Sequence, residues 1–234
     1  MLILIQSRMS SKRLPKKVLK KINNKELLKY MIERIILSKN INKIVVTTSV
    51  NKTDNPIVSF CKKNKINYYR GSLNNVTERL IMAARKFKYK YFIRISGDSP
   101  LIDPKIIDKL IFFYKKNKNY DLISNRLDNS VPPGQTIEII KTKSLIKAEN
   151  KFKNKGHYEH VTKYFYENNK AFKIKNIKSK KKSTSIDLTV DSMKDFKKIK
   201  RIINAMKKDH TQYDLEKISK IYTNTEKIKN RKYF

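Results

Sequence analysis

Short apolar runs alternate with stretches of helical period through the first half of the chain. That is the pattern of a parallel sheet with crossover helices. Residues 2–5 form an unbroken apolar run, as in a strand buried on both faces. Residues 26–37 then set Leu27, Leu28, Met31, Ile32, Ile35 and Ile36 on one helical face. A strand is predicted at 43–48, and a helix from Asp54 and Pro56 to about Lys63, with the proline in its first turn. A third strand at 66–70 closes in Gly71-Ser72. Asn74 or Asn75 caps a helix through Lys86, and 91–96 is a fourth strand. Asp103-Pro104 opens the next helix, with Ile106, Ile107, Leu110, Ile111 and Phe113 as a broad apolar face, and 121–124 reads as strand-like.

The second half is less regular. A strand is predicted at 135–141, after the Pro132-Pro133-Gly134 turn, with a short helix at 144–150. Residues 156–168 read as one helix, 172–178 as an alternating strand, and 188–190 as a short buried strand. Helices follow at 193–206 and about 214–222, the second leading into a basic tail. No stretch rich in Gly, Ser or Pro divides the chain. The expectation is one domain over 1–234, with an insertion-like acceptor and dimerisation region at about 126–178 and the tail at about 223–234.

At 234 residues the chain can bury a full core. No run approaches the ~18 apolar residues of a membrane span. One cysteine, Cys61, excludes an internal disulfide, and with no export signal the cytoplasm is the expected compartment. Cys61 sits in an apolar helical turn, where it fills core. The formal net charge of +36 raises nucleic acid as a partner. The lysines, however, are spread along the chain among Asn and Ile, and no helix-turn-helix, zinc-finger spacing or ribonucleoprotein motif is present. Specific nucleic-acid binding is therefore set aside.

Chemistry concentrates at strand ends. The first strand opens into a loop carrying Ser7, Arg8, Ser10, Ser11, Lys12, Arg13, Lys16 and Lys17. In an open α/β sheet such a loop faces the ligand crevice. Hydroxyls and cations there suit a polyphosphate, because a charge-assisted bond to phosphate is roughly twice as strong as a neutral one. With four glycines in the whole chain there is neither a Walker loop nor a dinucleotide fingerprint, so side chains must hold the phosphates. Asp98, after Gly97, and Asp191, after an apolar run, stand where strands end. Two carboxylates opposite a basic loop suit Mg²⁺, which takes one or two carboxylates plus water and phosphate oxygens. Asp103, before Pro104, reads as a helix cap. Asp195 reads as a supporting group near Asp191 or as a residue of its helix's first turn.

The run from Ile5 to Leu19, with Gly97-Asp98-Ser-Pro-Leu-Ile-Asp103, Glu159-His-Val-Thr162 and Leu188-Thr-Val-Asp191, resembles the cytidylyltransferases. Within that family it resembles the spore coat polysaccharide biosynthesis F type, related to the synthetases that activate acylneuraminate and 3-deoxy-manno-octulosonate. The resemblance spans residues 2 to about 206. It implies a three-layer α/β/α nucleotide-diphospho-sugar transferase fold, Rossmann-like, with a mostly parallel central sheet and an inserted mixed region. It implies transfer of CMP from CTP to a sugar acid of the ulosonic or nonulosonic type, with release of pyrophosphate in surface polysaccharide biosynthesis, and a homodimer. By motif match, Arg8, Ser10, Arg13 and Lys17 grip the triphosphate. Asp98 and Asp191 hold Mg²⁺, and Arg70, Gly71, Ser72, Thr77 and Arg79 lie at the nucleoside. Arg8, Lys17, Asp98 and Asp191 are then the catalytic set.

The chain departs from the family pattern in four places. Lys16 replaces a glycine before the motif lysine, Ser99 replaces a frequent cysteine, Thr136 replaces an aspartate, and Ser192-Met-Lys-Asp195 replaces Thr-Pro-Glu-Asp. The candidates for the acceptor are Gln135, Glu138, His157, Glu159 and His160. The two histidines share a helix face, but no further ligands follow at zinc spacing. Among rivals, a uridylyl- or guanylyltransferase of this fold normally has a Gly-rich first loop, which is missing. A nucleotide-sugar glycosyltransferase usually shows Asp-x-Asp, and position 100 is Pro. A basic nucleic-acid binder would release no pyrophosphate.

Overall fold

The computed structural model describes residues 1–179 and 186–231. In chain order the strands are β1 (Leu2–Gln6), β2 (Lys21–Ile22), β3 (Lys25–Glu26), β4 (Lys43–Ser49), β5 (Asn67–Gly71), β6 (Tyr91–Ser96), β7 (Leu122–Ser124), β8 (Glu138–Lys141) and β9 (Ile174–Asn176). The α-helices are α1 (Leu27–Ile36), α2 (Asn55–Lys63), α3 (Val76–Lys86), α4 (Pro104–Lys116), α5 (Thr142–Glu149), α6 (Lys155–Glu159), α7 (Lys163–Glu167), α8 (Met193–Asn204) and α9 (Leu215–Arg231).

Seven strands form one sheet in the order β5-β4-β1-β6-β8-β7-β9, and β2 and β3 make a separate hairpin. β1 pairs in parallel with β4 on one side and β6 on the other, while β8 runs antiparallel to both β6 and β7. The sheet is thus mostly parallel with an antiparallel insertion, and stretch 126–178 feeds β8 and β9 into it. The period-2 geometry of β1 sorts its apolar side chains to two layers. Ile3 and Ile5 pack with α1, α2 and α4, through residues such as Met31, Phe60 and Leu110. Leu2 and Leu4 pack with α3, α5 and Phe165 of α7. A third cluster joins Leu14 of the first loop, Leu101, Leu188, Val190 and the apolar face of α8. Cys61 is fully buried in the first layer, and burial pushes its thiol up to about 12. No helix among the described residues is long and apolar enough to cross a membrane.

The chain leaves β1 toward β4 and β5, then returns to β6 on the other side. The crevice at the carboxyl ends of β1 and β6 is therefore a topological switch point, where open α/β sheets hold their ligands. Gly97 lets the two strand ends meet: a Cβ there would lie 2.4 Å from Ser7 Oγ and 2.9 Å from the Gln6 carbonyl oxygen.

Several expectations need correction. Leu188 and Val190 are buried, but 188–190 form no strand. Leu188 N–H donates to the Pro133 carbonyl and Val190 N–H to the Asp98 carbonyl, so the segment bridges two loops instead of joining a ladder. The single helix expected at 156–168 is two, because His160 leaves the helical region at φ −102°, ψ 78°. This break buries Val161 and lets Thr162 Oγ1 reach Glu138. The strand expected from 135 begins only at Glu138, since the Gln135 side chain spends its polar atoms on neighbouring backbone. The strand expected at 172–178 shrinks to β9, the β2–β3 hairpin was not foreseen, and most of the basic tail lies inside α9. Residues 232–234 lie outside the described residues.

Gly134 has φ +88°, and a Cβ on it would stand 2.7 Å from the Leu188 carbonyl carbon. Gly134→Ala is expected to cost about 2 kcal/mol, because strain and clash coincide at a segment that packs Leu188. Urea denaturation checks this: the midpoint should fall, and an unchanged midpoint would contradict the packing described.

Candidate active site

Two chambers open at the switch point. The first, of about 450 Å³, is lined by the loop after β1 through Ser7, Arg8, Ser11, Lys12, Arg13 and Lys17, and closed opposite by Gly97, Asp98, Glu159 and Asp191. The second, of about 620 Å³, is lined by Ser99, Arg126, Val131, Pro133, Gly134, Thr136 and Thr189. Arg94, Ser96, Asp98, His160 and Asp191 line both and so form the boundary between them.

The loop is held by a buried strut. Asp54 is fully buried and accepts from Met9 N–H at 2.7 Å, Ser49 N–H at 3.1 Å and Ser49 Oγ at 2.5 Å. The loop then folds back through Lys16 N–H on the Met9 carbonyl, 2.9 Å. Lys16 itself is left-handed, at φ 60° and ψ 19°. A side chain at this left-handed position carries conformational strain that a glycine would not.

Lys17 Nζ lies 2.9 Å from Asp98 Oδ2 and 2.8 Å from Asp191 Oδ1. Arg13 Nη2 lies 3.0 Å from the other oxygen of Asp191. Arg8 Nη2 lies 2.7 Å from Glu159 Oε1, and this bond holds the Glu159 carboxyl below its ordinary range. Asp98 reaches its place directly from β6. Asp191 is brought there by the Val190 N–H bond to the Asp98 carbonyl, and Ser192 and Asp195 then cap α8 reciprocally. Asp195 is thus a helix-capping residue, ion-paired to Lys198 at 3.1 Å.

The structure therefore brings Arg8, Arg13, Lys17, Asp98, Asp191, Glu159 and His160 together. Ser10 is exposed and does not line the chamber; Ser7 and Ser11 do. Ser72 lines an adjoining cavity of about 460 Å³ with Arg8, Asn74, Asn75, Lys155, Tyr158 and Glu159. The rest of the nucleoside set lies behind it. Arg70 donates to the Ser49 and Asn51 carbonyls, and Gly71 packs against the Arg79 side chain. Thr77 is fully buried. Buried Arg79, drawn down to about 10 by desolvation, donates to the Ser72 carbonyl, so these residues shape the cavity wall from beneath.

Three acceptor candidates lie off the chamber linings. Gln135 is fully buried, donating to the Leu101 carbonyl and accepting from Asp103 N–H. Asp103 caps α4 as expected. His157 is buried under the aromatic rings of Phe152 and Tyr164, with Nε2 on Glu167 at 2.6 Å. Glu138 is fully buried and pairs with Arg94 Nη1 at 2.6 Å. Its other oxygen accepts from Thr162 at 2.8 Å and Tyr166 at 2.7 Å. Burial pushes the Glu138 carboxyl up, but the Arg94 guanidinium and the two hydroxyls outweigh it and hold the group below its ordinary value. Sequence reasoning missed Arg94, Arg126 and the Asp54 strut. The inward position of residue 94 in β6 was the one available signal, a cation inside an apolar strand.

The cytidylyltransferase family model matches residues 2–228. The chain belongs to that family. It is 28% identical to the spore coat polysaccharide biosynthesis protein SpsF of Bacillus subtilis, over 86% of this chain and 85% of the relative. It superposes on a cytidylyltransferase structure from Leptospira borgpetersenii serovar Hardjo-bovis with TM-score 0.91 and 28% identity, covering 97% of this chain and 94% of that one. Against CMP:2-keto-3-deoxy-manno-octonic acid synthetase complexed with CTP, the TM-score is 0.66 at 15% identity, covering 87% and 98%; this likeness shows the shared fold. The Rossmann-like nucleotidyltransferase fold is thereby established alongside the family.

Because Lys16 is left-handed, Lys16→Gly is expected to stabilise the cytidylyltransferase by about 1 kcal/mol. Thermal unfolding checks it: a rise in Tm is expected, and a fall would mean that the Lys16 side chain supports the loop by contacts that outweigh its strain.

Proposed function

We propose that the protein transfers CMP from CTP to a sugar acid and releases pyrophosphate, in the synthesis of a surface polysaccharide. One observation carries the reading: a cationic chamber and a second chamber lined by arginines meet at a shared pair of carboxylates. The triphosphate belongs in the first, where Arg8, Arg13 and Lys17 offset its charge. An anionic sugar belongs in the second, with His160 at its boundary with the first.

The two carboxylates also fit a divalent cation. Asp98 and Asp191 come from different loops yet converge on one cationic point, the Lys17 ammonium. Among the described residues no cluster of three or more His, Cys, Asp or Glu forms. The donor set is then two carboxylates, which suits Mg²⁺ completed by water and phosphate oxygens. Asp98 and Asp191 would hold such an ion, which would supply charge neutralisation to the phosphates.

The chain's own residues do the rest. The acceptor hydroxyl oxygen attacks the α-phosphorus, forming the new P–O bond. The bond from the α-phosphorus to the bridging oxygen breaks, and pyrophosphate leaves with the electron pair. The hydroxyl proton is lost to water in the open chambers. Phosphoryl transfer of this kind rests on positioning and charge stabilisation. Arg8, Arg13 and Lys17 stabilise charge that grows on the leaving pyrophosphate. Their pairing to Glu159, Asp191 and Asp98 keeps them aimed into the chamber beforehand. Support for a sugar acid and a polysaccharide context comes from the cations of the second chamber and from the name of the Bacillus relative.

Asp98→Asn is expected to lower pyrophosphate release from CTP by roughly 10³-fold or more, as removal of a transition-state charge contact does. Folding should be kept, because Lys17 retains Asp191. The assay is pyrophosphate release with Mg²⁺ and CTP, UTP, GTP or ATP against a panel of ulosonic acids and sugar phosphates. Full activity in the variant overturns the metal assignment, and turnover with another nucleotide in preference to CTP overturns the proposed donor.

A further inference from the structure

We infer that Arg94 reads the carboxylate of the acceptor, and that buried Glu138 is the positioning residue that aims it. The inference rests on the transfer of CMP to a sugar acid described above, and names the residue that sets acceptor choice.

The chemistry of the acceptor fixes where its carboxylate must lie. In a 2-ulosonic acid, the carbon that bears the attacking hydroxyl also bears the carboxylate. An anion so close to the reacting oxygen cannot be held from the far end of the acceptor chamber. It has to be met at the boundary where the two chambers join. Arg8, Arg13 and Lys17 line only the nucleotide chamber of this pair, and Arg126 lines only the acceptor chamber. Arg126 lies against the Tyr166 ring, 5.8 Å from its centroid, placed for a more distant substituent. Arg94 is the arginine that lines both.

Arg94 is also built for the task. Its Nη1 is fixed on Glu138 at 2.6 Å and its Nε on Gln6 Oε1 at 3.2 Å. Nη2 has no hydrogen-bond partner among the described residues. Two of its three nitrogens are thus anchored and the third is left for a ligand. Arginine's planar fork suits a carboxylate, and anchoring it in advance lowers the entropy lost on binding. A buried ion pair adds little net stability compared with an apolar pair of the same shape. The gain from Glu138, with its bonds to Thr162 and Tyr166, lies in the orientation it imposes on Arg94.

The test measures kcat/KM for pyrophosphate release with CTP and eight- and nine-carbon 2-ulosonic acids. N-acetylneuraminate and 3-deoxy-manno-octulosonate serve as probes, each beside its C1 amide. The wild type should prefer acid over amide by about 30-fold or more, the loss expected when a charge-assisted pair is removed. Arg94→Gln alone strands a buried carboxylate, so the double variant Arg94→Gln/Glu138→Gln removes both charges and keeps the packing. In it, kcat/KM for the acid should fall about 30-fold and the amide should change little, so that the preference vanishes. Arg94→Lys should restore part of the preference. Glu138→Gln alone should raise KM for the acid, and in every variant KM for CTP should stay within about threefold. A preference that survives in the double variant overturns the inference. So does a rise in the KM for CTP matching that for the acid, which would assign Arg94 to the nucleotide phosphates. A wild type that binds CTP but uses none of the acids also overturns it while leaving the nucleotide reading intact. A wild type that binds no CTP fails the earlier reading instead.

Discussion

The site depends on one ammonium shared by two carboxylates. Asp98 and Asp191 lie 93 positions apart in sequence numbering, and like charges brought together in a crevice repel each other strongly. Lys17 Nζ, within 2.9 Å of both, makes that approach favourable. Everything nearby serves the convergence. Gly97 lets the ends of β1 and β6 close on each other, the Asp54 strut holds the loop that carries Lys17, and the Val190 bond to the Asp98 carbonyl delivers Asp191.

The same pairing explains the electrostatic economy of the crevice. Three of the loop cations, Arg8, Arg13 and Lys17, are paired locally with Glu159, Asp191 and Asp98 in a chain of net charge +36. On the proposed reading, a polyanionic ligand would compete for those cations and leave the carboxylates to hold a metal ion. Exchange of partners within a preformed cluster costs less reorganisation than assembly of a site from mobile loops. The antiparallel part of the sheet adds the second chamber, and there Glu138 and Arg94 repeat the logic at smaller scale, a buried carboxylate orienting an exposed edge of a cation.

Much of the fold was legible in the sequence because local and long-range signals agree. The apolar run of β1, the cap at Asn75, the Asp103-Pro104 helix start and the strand at β6 all follow from side-chain pattern and capping chemistry. The meeting of Lys17 and Asp98 was legible because the loops after β1 and β6 face one crevice in this architecture, and Asp191 joins them from a segment that forms no strand. What failed was set by partners distant in sequence. Residues 188–190 carry a strand-like pattern but find only two loop carbonyls to bond. The helix at 156–168 breaks because Val161 and Thr162 turn inward to the sheet. Gln135, Glu138 and His157 are polar residues in the right region, yet each is consumed by internal hydrogen bonds, and one-dimensional pattern cannot separate a buried polar strut from a ligand contact. Lys16 shows the converse: a departure from the family pattern that the backbone tolerates in a left-handed turn.

The central claim is that Asp98 and Asp191 exchange the Lys17 ammonium for a metal ion when nucleotide enters. Electron paramagnetic resonance titration of Mn²⁺ against the protein, with and without CTP, measures this directly. The account predicts one tightly held Mn²⁺ per chain that requires CTP and is lost in both Asp98→Asn and Asp191→Asn. Mn²⁺ held equally well with CTP after either substitution would contradict it.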